Sequence, residues 1–181
     1  MNDQRKTKKQ LLEELKRERE RSELAEERSL VLQEVSKRVA AAHDIDEVLD
    51  LMVNEASRLV GASGALIRLL EDSRLVMRAA TDSVAAYADE STKFVPSLPV
   101  GEGSAAGQVL ANTEPTIAYD LYDLESISIE TRTLFRQHGF HGAVIVPLLA
   151  NGRPIGVLNV VDQRARQFTD GEVSIILAFA D

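Results

Sequence analysis

The sequence predicts an α+β domain, a mostly antiparallel sheet flanked by helices, preceded by a charged helical arm. Three observations predict it. Gly142 to Ala150 and Arg153 to Val161 are β-branched-rich runs separated by Asn151-Gly152, a dipeptide that favours a type I′ turn and so a hairpin. Ile45, Val48, Leu49, Met52, Val53, Ala56, Leu59 and Val60 recur at helical spacing. Residues 3 to about 42 contain no glycine or proline and are dense in Leu, Glu, Lys, Arg and Ala, the strong helix formers. Helices packed against an antiparallel sheet bury one face of each and make an α+β layer architecture.

The N-terminal segment, residues 1–35, reads as a charged helix. Its best seven-residue seam runs through Leu11, Leu15, Glu18, Ser22, Ala25, Ser29, Leu32, Ser36 and Val39. That seam is poor in apolar knobs, so it predicts a weak parallel coiled coil, with a lone charged helix as the alternative. The domain proper is assigned to residues 36–181. Asp44 with Glu47 forms a capping-box-like start for the first domain helix, and Gly61 stops it. Two strands are expected at Ala65 to Leu70 and Leu75 to Ala80. Each carries an arginine among apolar residues, Arg68 and Arg78, which face either solvent or the wall of a polar pocket. Residues 81–100 read as irregular, with Phe94 and Val95 as an edge strand. A short helix is expected over Ala105 to Ala111, a short strand over Pro115 to Tyr119, a polar loop from Asp120 to Ile127, and a helix over Glu130 to His138. Thr169 and Glu172 form a second capping box, ahead of Val173, Ile176, Leu177 and Ala180 on one helical face. No stop signal precedes Asp181, so that helix is expected to run on into a downstream domain.

Composition removes several functions. The chain is 44% hydrophobic and 28% charged, an ordinary globular balance, and its apolar runs are far shorter than the ~20 residues of a membrane span. There is no cysteine, which excludes disulfides, thiol nucleophiles and thioether attachment of a chromophore. The net charge of −8 belongs to the domain, because the arm is nearly balanced; an acidic domain repels phosphate backbones, so no nucleic-acid partner is expected.

The run from Leu98 to Pro115, with Gly101-Glu102-Gly103-Ser104 leading into a short helix, resembles a hallmark of bacterial GAF domains. Asp120 follows at the position where that family often has an aspartate. Ala143 to Leu148, Asn151-Gly152, Ile155 to Asn159 and Phe168 to Val173 continue the resemblance in order and at matching distances, over residues 36–181. The resemblance implies a GAF-like central antiparallel sheet of six strands. It places the terminal helices on one face and a small-ligand pocket, covered by the loop-rich middle, on the other. It further implies a sensory module of a signal-transduction protein such as a histidine kinase or diguanylate cyclase, cytoplasmic or the cytoplasmic part of a membrane-anchored sensor. A homodimer through its N- and C-terminal helices and a downstream output domain would relay the signal.

Within that pocket the expected wall draws Arg68 and Arg78 from the first two strands, either to meet an acidic group on the ligand. Phe94, Ala105, Ile117 and Asp120 come from the middle of the chain. Phe135, His138, Phe140, Val144, Val146 and Asn159 come from the last helix-and-hairpin segment. No catalytic residue and no metal ligand set is assigned. The ligand is left unidentified. A bilin has no cysteine to attach to. Cyclic-nucleotide-binding members resemble one another in an Asn-Lys pair, a Phe and an Asp-Glu pair; here those places read Asp162-Gln163, Phe168 and Glu172-Val173, and only Phe168 fits. His138 lies near the place where some members ligate haem; the favoured reading is a helix-terminal His138 and a strand-edge His141. Gly101, Gly103 and Ser104 either hold an anion at the start of a helix or supply a turn that needs positive φ. The competing functions are a ligand-free dimerisation spacer and a haem or metal redox sensor using His138. A DNA-binding regulator would need a helix-turn-helix, for which there is no sign.

Overall fold

The computed structural model describes residues 44–180 continuously and, ahead of them, residues 13, 15–19, 21, 22, 29, 30 and 33, which are helical and exposed. The expected coiled-coil seam, the boundary at residue 36 and the end of the chain at Asp181 fall largely outside the described residues.

Helix α1 spans Ile45–Leu59, with Asp44 Oδ1 accepting the amide of Asp46 at 3.4 Å and Gly61 ending it at φ +57°. Strands β1 (Gly64–Glu71) and β2 (Arg74–Ala80) are joined by Asp72 and Ser73, both at positive φ. The segment read as irregular instead forms a 3₁₀ turn at Asp82–Val84 and helix α2, Ala85–Phe94. Its alanine run favours helix, but its only deep anchors, Tyr87, Ala88 and Ser91, make too narrow an apolar stripe to read as periodic. The edge strand, β3, starts later, at Ser97–Pro99. Helix α3 (Ala105–Asn112), strand β4 (Thr116–Ala118), a 3₁₀ turn at Leu121–Asp123 and helix α4 (Ile129–His138) follow. Strands β5 (Gly142–Ala150) and β6 (Arg153–Asp162) form the hairpin, with Asn151 and Gly152 at φ +53° and +73° as a type I′ turn requires. Helix α5, Asp170–Ala180, opens with the predicted capping box: Glu172 Oε2 accepts the Thr169 amide at 2.7 Å, and Thr169 Oγ1 accepts that of Glu172 at 3.2 Å.

The strands make one antiparallel sheet in the order β3-β2-β1-β6-β5-β4. This is the six-stranded GAF-like architecture the resemblance implies. Helix α1 packs on β1 and β2, α5 packs on β5, and the two helices touch. Helix α3 lies over β5 and β6 on the opposite face. There it joins Leu66, Leu75, Tyr87, Leu121, Phe135, Phe140 and Ile145 in one core. The sheet is therefore a partition buried on both sides, which is why β5 reads as a continuous apolar run rather than an alternating one.

Register decides which residues share a side. Residues directly opposite on neighbouring strands face the same way. Leu66, Asn159 and Ile145 form one such row, on the α3 face; Arg68 is two residues on from Leu66 and shares it. Val144 opposes Val160 and Val146 opposes Leu158, so both valines face the terminal helices. The expectation that they line a pocket with Asn159 is corrected: these positions have opposite parity. Ile117 pairs with Val144 on the edge strand and is half exposed on that same face.

Candidate functional site

Between the sheet and its cover lies a partly enclosed cavity. It is lined by Arg68, Tyr87, Leu98, Ser104, Ala105, Ala106, Leu121, Ile127, Ser128, Thr131, Phe135, Ile145 and Asn159. About 380 Å³ there is free of atoms, much of it at the mouth, and only about 30 Å³ admits the centre of a water-sized sphere. The inner space as it stands has room for a couple of waters.

Arg68 is the unusual residue. It is 2% exposed, on the middle of β1. Its Nη2 donates to Ser91 Oγ at 2.8 Å, while its Nη1 is buried without a partner. Burial holds its pKa below the ordinary value, opposed by the neighbouring Tyr87 hydroxyl. Tyr87 in turn is pushed up by burial, with Arg68 and Ser91 working against the shift. No carboxylate lines the cavity, so only the Tyr87 and Ser91 hydroxyls offset the burial of the guanidinium charge. Across the sheet, Asn159 Oδ1 is likewise buried and unpartnered. A lone unmet polar atom costs about 1–3 kcal/mol, more for a charged group, so two of complementary sense in one cavity require an explanation.

The local sequence builds the rest of the wall. Ser104 caps α3, accepting the Gly107 amide at 2.9 Å and donating to Pro99 O at 3.2 Å. Ser128 caps α4, accepting the Thr131 amide at 3.2 Å. Both helices thus turn their positive ends to the cavity, adding to the field of Arg68. Gly107 is required there, since a Cβ would run into Pro99 O. Gly101 and Gly103 stand at φ +85° and +96°, as turn residues, and the Ser104 hydroxyl is spent on its cap. Tyr87 stacks on Phe135 with centroids 5.3 Å apart and meets Phe140 edge-on at 5.6 Å, which fixes the phenol beside Arg68.

Of the twelve residues expected at the wall, the cavity brings together Arg68, Ala105, Phe135 and Asn159. Phe140 lies behind Tyr87 in the core. Arg78 is the residue left over by a bulge in β2, where Ile67 opposes Ala79 and Arg68 opposes Met77. It pairs instead with Glu71 at 2.7 Å, half exposed. Phe94 ends α2 and is 69% exposed. Val144, Val146 and Ile117 lie on the other face. His138 Nε2 meets Glu90 at 2.7 Å, linking α4 to α2, and His141 Nδ1 meets Asp120 Oδ2 at 3.2 Å. The two histidines therefore serve separate contacts. Among the described residues no group of three or more His, Asp or Glu side chains is placed to hold a metal. Burial alone would raise the Asp120 carboxyl, but the Tyr122 amide and His141 outweigh it and hold it low.

The residues that the sequence did not single out have different causes. Tyr87 and Ser91 belong to α2, whose narrow stripe hides it. Ser128 and Thr131 come with the cap of α4. Ala106, Leu121, Ile145, Leu98 and Ile127 differ in no way from ordinary core in the sequence. Outside the cavity an open cleft of about 630 Å³ is lined by Glu102, Gly103, Gln108, Glu125, Ser126, Ile127 and Ser128, and it shares the last two with the cavity. The places that matter for cyclic nucleotides in related domains have other work here. Asp162, fully buried, pairs with Arg164 at 2.8 Å and Arg166 at 3.4 Å, and Arg166 pairs with Glu172 at 2.6 Å. Arg164 and Arg166 also donate to Gly61 O and Val60 O, and Arg166 lies over Phe168 at 4.3 Å. This clasp ties the end of α1 to the start of α5.

The GAF domain family model matches residues 42–181. No curated protein is detectably similar to the chain. Among solved structures, the GAF domain of a phosphoenolpyruvate-protein phosphotransferase from Coxiella burnetii superposes with a TM-score of 0.68 at 18% identity. It covers 84% of this chain and 88% of its own. A methyl-accepting chemotaxis protein fragment superposes at 0.61 with 24% identity, covering 81% and 90%. The free methionine-R-sulfoxide reductase of Neisseria meningitidis, solved with its substrate, superposes at 0.64 with 18% identity, covering 83% and 84%. At these identities the likeness speaks for the fold, and the fold is shared by regulatory modules and by enzymes.

Proposed function

The chain belongs to the GAF domain family, whose members act as sensory regulatory domains in signalling proteins, and we propose that this one binds a small ligand in the cavity at Arg68 and relays binding through α1 and α5. The observation that carries the reading is the buried guanidinium with its Nη1 unpartnered in a cavity that holds no acid. Such a charge is costly to a domain that only dimerises, and is useful to one that waits for an acidic ligand. The relay follows from parity. Ile67 and Leu69 flank Arg68 and face α1, while Val144 and Val146 flank Ile145 and face α5. A ligand that moves the cavity side of β1 or β5 also moves the side on which the helices rest. The output would be a change in how those helices pack in a homodimer, passed to an output domain of a cytoplasmic signalling protein.

The domain is read as non-catalytic: the cavity lining offers no histidine or carboxylate to serve as a base, and the chain has no cysteine nucleophile. A ligand-free dimerisation module is the second reading, favoured by the small inner space. Native mass spectrometry of protein purified from cells separates the two. Added mass that disappears in Arg68→Met supports the sensor; bare dimers in both wild type and variant support the spacer. Hydrogen exchange in α1 and α5 that is unchanged by bound ligand would refute the relay.

A further inference from the structure

We propose that the ligand is a small monocarboxylic acid bearing a hydrogen-bond donor, ammonium or hydroxyl, on the carbon beside the carboxylate, and that it enters carboxylate first. The inference rests on the sensory reading above and names its ligand class.

The carboxylate follows from charge and from the supply of donors. Arg68 is the one ionised side chain among the lining residues. Its Nη2 is committed to Ser91, which leaves Nη1 for the ligand. Two of the lining hydroxyls are fully engaged: Ser104 with Pro99 O and the Gly107 amide, Ser128 with the Thr131 amide and Oγ1. Tyr87 is shared with Ser91 and Arg68, and Thr131, which accepts from Ser128, keeps its proton to donate. One free guanidinium nitrogen and the Thr131 hydroxyl, beside two capped helix starts, suit the two oxygens of a planar monoanion. They leave the three terminal oxygens of a phosphate dianion short of partners, and a buried acceptor without a partner is expensive.

The second group follows from Asn159. Its Oδ1 is a buried acceptor without a partner and lines the same cavity from the neighbouring strand. A ligand that offers acid to Arg68 and a donor on the adjacent carbon satisfies both atoms together. The remaining wall is largely apolar, with Leu98, Leu121, Ile127 and Ile145, and suits a short aliphatic side chain once the cover moves outward to enlarge the space. The mouth sets a limit at the other end. Glu102 and Glu125 line the outer cleft that meets the cavity at Ile127 and Ser128. They repel a second carboxylate and tolerate an ammonium group, so dicarboxylates are disfavoured.

The test is calorimetry and thermal shift on the full chain with L-alanine, L-valine and L-lactate. The comparison probes are isovalerate (no donor), isobutylamine (no acid), succinate, inorganic phosphate and cyclic AMP. At least one amino or hydroxy acid is expected to bind, about tenfold or more tighter than the acid without a donor, in line with one unmet buried acceptor. The amine, phosphate and succinate are expected to give no binding. Whether ammonium or hydroxyl is preferred is read from valine or alanine against lactate. Asn159→Leu should bring valine and isovalerate to equal affinity, and Arg68→Met should abolish both, with circular dichroism and melting curves confirming that each variant folds. Equal binding of isovalerate and valine to wild type, or preferred binding of phosphate or cyclic AMP, overturns the ligand class. A nucleotide or neutral ligand that is lost in Arg68→Met would do so while leaving the sensory reading intact. No binding by any probe, with no added mass on protein from cells, overturns both.

Discussion

Replacing Arg68 by methionine keeps most of the length of the side chain and removes its charge, and the structure predicts that the ligand-free domain becomes more stable. Two contributions oppose each other. The variant loses the bond from Nη2 to Ser91, worth about 1.5–3 kcal/mol as a hydrogen bond involving a charged group. It also escapes the cost of holding a guanidinium out of water, several kcal/mol per ion after relaxation, which no carboxylate in the cavity repays. The depressed pKa of Arg68, caused chiefly by burial, has the same sign: the fold disfavours the charged form. The thioether puts an apolar group into a wall that includes Leu98 and Ile145. The net effect is a gain of about 1–3 kcal/mol, or a rise in Tm of very roughly 3–10 °C for a domain of this size. Urea and thermal denaturation of ligand-free wild type and variant measure it. A loss of more than about 1 kcal/mol in the variant would refute the reasoning. It would mean that Arg68 is compensated within the fold and has a structural role. Where ligand is present the order should reverse, because only the wild type gains from mass action.

Gly107→Ala should destabilise the domain by roughly 2–3 kcal/mol in chemical denaturation, although alanine is the better helix former, because its Cβ would meet Pro99 O in rigid backbone. Arg78→Ala should change stability by no more than about 0.5 kcal/mol and leave ligand binding intact, since its partner Glu71 is also partly exposed. Burial alone would raise the carboxyls of Asp162 and Glu172, but hydrogen bonds from Arg164 and from Thr169, with the nearby Arg166 charge, outweigh it and hold both below their ordinary 3.8 and 4.5. A lowered carboxyl stabilises the fold fully above its unfolded pKa, and that stability is lost as pH falls through the folded one. Melting temperature should therefore decline from about pH 4.5 downwards, and Asp162→Asn should lower it by several degrees at pH 7 and flatten the acid decline.

Apart from α2, the order of elements was legible in the sequence, as were Asp44 as the cap of α1, the Thr169–Glu172 capping box and the hairpin, because each has a local cause: a capping side chain, a turn dipeptide, a helical stripe. The site was legible only in part, because it depends on parity. Arg68 and Asn159 stood out as polar residues inside apolar strands, and that signal led to the cavity. Arg78 carried the same signal and misled, since a bulge beside it in β2 changes the face, and no residue type marks the bulge. Val144 and Val146 illustrate a different limit. In a strand buried on both faces the even and odd positions are equally apolar, so hydrophobicity gives no indication of which row lines the cavity. Asn159 held the missing information. Once its side is fixed, pairing fixes Ile145 on the same side and excludes the two valines.

That two-sided burial also bears on how a signal would leave the site. A sheet with one solvated face can absorb a small displacement by moving into water. Here neither face can: α3 closes one and the terminal helices close the other, and packed interiors transmit displacement rather than dissipate it. The clasp at Asp162 adds a second constraint. It fixes Val60 and Gly61, at the end of α1, and Glu172, at the start of α5, to the last residue of the strand that carries Asn159. A ligand that draws on Asn159 therefore pulls on the strand that anchors both helices, three residues from the anchor. If the clasp carries the coupling, Asp162→Asn should leave ligand affinity nearly unchanged while removing the ligand-induced protection of α1 and α5 in hydrogen exchange. Retained protection with the clasp broken would assign the coupling to the packed faces of β1 and β5 alone.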